Sequence, residues 1–101
     1  MKVLMTVTIP NQPFNTLARE GTAGQKMGQI IEATKPEAIY FTTQANGRGC
    51  VAVHDLEDSA GVPALAEPWF LAFNAGVSFN VCMTPDDLGK AGLEKLGKTW
   101  G

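Results

Sequence analysis

The chain is poor in the residues that most often announce a function. It has one histidine, two cysteines and, among eight basic residues, only two arginines, Arg19 and Arg48. A metal site held by protein alone needs several ligands at workable spacing, so no metal is expected. Cys50 and Cys82 form no Cys-x-x-Cys pair and are too few for a disulfide framework. Both are expected as free thiols, in a cytoplasmic setting. Basic residues are outnumbered by ten acidic ones and nowhere cluster, which argues against nucleic acid as a partner. No apolar run approaches the ~20 residues that cross a bilayer. Met1-Lys2-Val3-Leu4 reads as the start of a strand rather than of a signal peptide. No phosphate loop or Gly-x-Gly-x-x-Gly is present. One histidine suffices as an axial haem ligand, but nothing beside His54 supports that, and no cofactor is expected.

What is present fits one domain spanning residues 1–101. A chain of this length buries roughly two thirds of its unfolded surface, enough for one core. Residues 2–9 alternate Val3, Met5, Val7, Ile9 against Leu4, Thr6, Thr8, the period of a strand. Residues 14–33 carry an apolar stripe of Phe14, Leu17, Ala18, Met27, Ile30 and Ile31. They are read as one helix rather than two, although Gly21 and the capping-box pattern at Thr22-Ala23-Gly24-Gln25 mark where it would break.

Strands are expected at Ala38 to Gln44 and Gly49 to Asp55, around an Asn46-Gly47 turn signal. Placing Ile39, Phe41, Val51 and Val53 on the core face selects a three-residue loop, Asn46-Gly47-Arg48, which pairs Tyr40 with His54. Asp58 or Ser59 caps a helix over about 60–73, with Pro68 expected to kink or break it. Val77 to Met83 alternate as a last strand, and Thr84-Pro85-Asp86-Asp87 opens a C-terminal helix.

The order β-α-β-β-α-β-α predicts an α+β fold of the ferredoxin-like kind, an antiparallel sheet in order 4-1-3-2 plus a C-terminal helix. One sheet face is then left bare. It is expected to carry Leu4, Thr6, Thr8, Tyr40, Thr42, Cys50, Ala52, His54, Ser78, Asn80 and Cys82, too apolar a mixture to stay in water. At this level the chain resembles the dimeric α+β barrel superfamily, in which two such subunits pack sheet against sheet. The stretch from Ala66-Glu67-Pro68-Trp69 to Val77-Ser78-Phe79-Asn80-Val81-Cys82-Met83-Thr84-Pro85 is similar to a group of uncharacterised bacterial proteins of about this length. The resemblance implies a bacterial homodimer formed through the open sheet face, and a pocket for a small hydrophobic ligand.

His54 is the candidate catalytic residue, because an imidazole titrates near neutrality. The alternative is a hydrogen-bonded histidine in a subunit interface. A Cys50–His54 dyad fails, since four residues along a strand span about 13 Å. Thr6, Tyr40, Thr42 and Asn80 are candidate ligand-orienting groups, and Trp69 a candidate pocket wall; each can equally be structural. The Arg48-Gly49 opening of the third strand suits an RNA-binding sheet, but Cys50, Ala52 and His54 stand where stacking aromatics are needed. The leading expectation is a homodimeric small-molecule-binding protein. The alternatives are a cofactor-independent monooxygenase or isomerase using His54, and a non-catalytic interaction module.

Overall fold

A computed structural model describes all 101 residues. The elements are β1 (Lys2–Ile9), α1 (Asn11–Glu20), α2 (Ala23–Thr34), β2 (Ala38–Gln44), β3 (Gly47–Asp55), α3 (Val62–Phe73), β4 (Gly76–Cys82), α4 (Pro85–Lys90) and α5 (Leu93–Trp100). The four strands form one antiparallel sheet in order β2-β3-β1-β4. This is the expected 4-1-3-2 order read from the other edge, and it is compatible with a ferredoxin-like fold. Val3, Met5, Val7 and Ile9 on β1 are all buried, and the core closes over them with Ile30 of α2 and Leu65, Trp69 and Phe73 of α3.

The expected single helix over 14–33 is two helices. Gly21 adopts φ 78°, and its N–H donates to the Ala18 carbonyl while the Thr22 N–H donates to the Leu17 carbonyl. These two bonds form a Schellman end, and the left-handed residue they require is best supplied by glycine. The capping-box pattern at Thr22 forms no side-chain cap. The expected C-terminal helix is likewise two, parted at Gly92. Thr84 does cap α4 as expected, in a reciprocal pair with Asp87. Asp58 accepts the Ala60 N–H at 2.8 Å and starts a short 3-10 turn before α3. Pro68 lies inside α3 without breaking it.

The hairpin differs from expectation in register. Its turn residues are Ala45 and Asn46, with φ of 50° and 62°, and Gln44 faces Gly47. Two successive left-handed residues make the type I′ turn, whose twist matches that of the flanking strands. Tyr40 therefore pairs with Val51, not His54, and Phe41 with Cys50. Pairing with β1 sets Cys50 against Val7, Ala52 against Met5 and His54 against Val3. All three face the helices, and Val51 and Val53 take the open face, the reverse of the sequence reading. Gly49 is closely approached: a Cβ there would stand 2.4 Å from the Val7 carbonyl oxygen and 2.3 Å from the Gln44 Cγ.

Residues 83–101 are exposed throughout, so α4 and α5 form an arm off the body. The radius of gyration is 17.1 Å, against about 13 Å for a compact domain of 100 residues.

Ala45 holds a left-handed conformation that costs an L-residue about 1–2 kcal/mol, partly offset in glycine by the entropy of its unfolded chain. Ala45→Gly is expected to raise stability by about 0.5–1 kcal/mol, read as a higher urea midpoint at unchanged slope. A loss would contradict the turn described.

Candidate functional site

The residues expected to form a site divide between the two faces of the sheet. Thr6, Tyr40, Thr42 and Asn80 share the open face. Tyr40, Val51, Thr6 and Ser78 make one row across it, Ala38, Val53, Leu4 and Asn80 the next, and Thr42 lies opposite Gly49 beside Thr8. Tyr40 is 70% exposed. Trp69 and His54 are on the other side, 1% and 3% exposed, within the helix-covered layer.

His54 is expected on the open face beside Thr6, Tyr40 and Asn80. It projects inward instead, opposite Val3. Its Nε2 and the Trp69 Nε1 are both buried without a hydrogen-bond partner. Removal from water lowers the His54 pKa below its ordinary 6.5, and the Glu37 carboxylate opposes this without cancelling it. Glu37 itself is paired with Lys2. Both cysteines are free, as expected. Cys50 faces the core rather than the open face, and burial pushes its thiol up to about 11.

A cavity of about 370 Å³ opens at the hairpin end of the sheet, between the sheet and α1 and α2. Its walls are Ile9, Phe14, Met27 and Phe41, with Thr43 and Arg48 at the rim. Ile9, Phe41, Thr43 and Arg48 are inward positions of β1, β2 and β3. Because β2 is the edge strand, its inward Phe41 remains 52% exposed. Arg48 lies with its guanidinium carbon 4.5 Å from the centre of the Phe14 ring. Its Nη1 donates to the Asn15 Oδ1 at 2.7 Å. A guanidinium held over an aromatic face and by one hydrogen bond keeps its other donors in a fixed direction. None of the residues expected to form the pocket walls this cavity except Thr42, which meets it at the strand edge. Phe14, Met27 and Phe41 read as plain core in the sequence. The available signal was Arg48, one of two arginines, directly after a turn.

A small α+β scaffold with an apolar cavity at one end of its sheet is thus the class of protein the geometry defines. Compared with protein-family models and with the curated proteins, the sequence finds no match in either. No helix is long and apolar enough to cross a membrane.

Two measurements follow. The unfolded chain binds a proton on His54 near 6.5, and the folded chain does so only at lower pH. Stability should therefore be full above about 6.5 and fall as the pH drops toward the lowered folded value. His54→Leu should flatten urea midpoints across that window; an unchanged slope would show that the imidazole is solvated. Because Cys50 is buried and held protonated, Ellman's reagent should titrate at most one thiol per native chain and both after unfolding. Two fast thiols in the native protein would contradict the inward placement of Cys50.

Proposed function

We propose that this chain is a homodimeric small-molecule-binding protein of the dimeric α+β barrel type, pairing through its open sheet face. The observation that carries this is the character of that face. Leu4, Val51 and Val53 are only half-buried there, with the exposed Tyr40 beside them, and no part of the chain's own body covers them. With the two valines in place of Cys50, Ala52 and His54, the face is more apolar than the sequence reading made it. Apolar surface of this extent is favourably removed from water by a second copy.

The arm supports the same reading. Leu93, Leu96 and Trp100 fall on one stripe of α5 and are 57%, 46% and 84% exposed. A sheet face of four strands has a plan area of about 450 Å² by strand spacing and rise. A standard interface uses about 800 Å² per partner. The arm's stripe provides further apolar surface toward that requirement, and a second copy is the partner that leaves neither surface in water.

The ligand of this dimer is a small apolar molecule, bound in the cavity between the sheet and α1 and α2. Binding is favoured over catalysis because the chain's one imidazole lies outside that cavity, in the core. Its volume lies within the ~300–1,000 Å³ of ordinary ligand sites.

Sedimentation equilibrium tests the dimer. The wild type should be dimeric at micromolar concentration. Val53→Asp places a charge in the middle of the face, where an unpaired buried carboxylate costs several kcal/mol, and should yield a folded monomer. A monomeric wild type, or a Val53→Asp variant that dimerises unchanged, would refute pairing through this face.

A further inference from the structure

We infer that the cavity selects an anionic ligand, a small aromatic or medium-chain carboxylate whose head group is held by Arg48. The inference rests on that cavity being the ligand site proposed above.

Three features carry it. First, the lining is chemically one-sided: Phe14, Phe41, Met27 and Ile9 supply the walls, and Arg48 is its only charged residue. The adjoining cavity of about 280 Å³, lined by residues such as Thr8, Asn11, Gln44 and Asn46, adds no charge of either sign. No carboxylate competes within the lining for the guanidinium. Second, Arg48 is oriented before any ligand arrives. The Phe14 ring supports its face and the Asn15 Oδ1 holds one of its five donors. Holding the side chain beforehand reduces the ordering a ligand must impose. Third, the remaining donors form a planar fork, and a carboxylate matches two of them at once. The aromatic and thioether walls favour a flat or flexible apolar body behind that head. A cationic ligand would meet the guanidinium without any acid to offset it.

The chain has an overall formal charge of −2, so general attraction of anions does not account for such a preference. It must arise locally, at Arg48.

Titration calorimetry with three probes of one shape tests the inference: phenylbutyrate, phenylbutanol and phenylbutylamine. The acid should bind about tenfold to a hundredfold more tightly than the alcohol, the range of a hydrogen bond to a charged group, and the amine more weakly than either. Arg48→Gln should remove most of the difference between acid and alcohol, with the acid losing far more affinity than the alcohol. Arg48→Lys, which keeps the charge but not the fork, should fall between. Met27→Trp, which fills the cavity, should weaken acid and alcohol together. Equal binding of acid and alcohol by the wild type overturns the anion preference and leaves the ligand site standing. Binding of none of the three overturns the ligand site as well. An acid preference that survives Arg48→Gln, or acid binding untouched by Met27→Trp, places the anion elsewhere and also overturns the inference.

Discussion

The pairing of β1 on both of its edges is the constraint from which the rest of the structure follows. Its inward residues Val3, Met5, Val7 and Ile9 are each no more than 3% exposed. Each neighbour's register against β1 decides which of that neighbour's residues join this buried layer. On β4 the joining residues are Val77 and Phe79, while Val81 points the same way but stays 67% exposed; on β3 they are Cys50, Ala52 and His54. The two sides differ in bulk, and the helices above are built for the difference. Small side chains on β3 leave room in the layer, and the aromatic residues of α3 and α1 help to fill it. Trp69 and Phe73 lie 6.0 Å apart between ring centres, and Phe73 lies 5.4 Å from Phe14. Buried rings of this size supply much of the apolar area that a domain of this length can bury. A bulky pair at positions 50 and 52 would have to displace those rings, and overpacking a close-packed core costs about 1–3 kcal/mol.

The same register sets the state of His54. An imidazole opposite Val3 is deprived of water, and its Nε2 finds no partner. The neutral form is therefore the one the fold stabilises. Glu37 pulls the other way, but its carboxylate is already engaged by Lys2. The residue that looks most reactive in the sequence thus acts on folding through its desolvation.

Strand identities and sheet order were legible because alternation in β1 and β4 is clear: Val3, Met5, Val7 and Ile9 on one side of β1, Leu4, Thr6 and Thr8 on the other. The C-terminal cap was legible for a similar reason, since Thr84-Pro85-Asp86-Asp87 concentrates three helix-start preferences in four residues. The facing of β3 was not legible. Cys50-Val51-Ala52-Val53 alternates small with β-branched residues, and either set can be buried. The deciding fact is a turn one residue earlier than the Asn-Gly signal, which requires a left-handed Ala45, a conformation alanine disfavours. The helix break at Gly21 was written in the sequence, but its apolar stripe continues past the break because both helices pack on the same core. The cavity depends on Arg48 lying over Phe14 and beside Asn15, side chains more than thirty residues away in the chain. Local periodicity carries no information about such a contact.

Strand β2 joins the two surfaces on which the functional reading depends. As an edge strand it has a neighbour only in β3, so its side chains are less constrained than those of β1. Its alternation sends Phe41 and Thr43 toward the cavity, and Tyr40 and Thr42 toward the open face. A one-residue slip of this strand would exchange the two pairs. What prevents the slip is the turn at Ala45-Asn46, together with Gln44, whose side chain lies across Gly49, where no larger residue fits beneath it. In the reading proposed above, a ligand against Phe41 and a second copy against Tyr40 would meet adjacent residues of one backbone, so both would depend on the single register that the turn fixes.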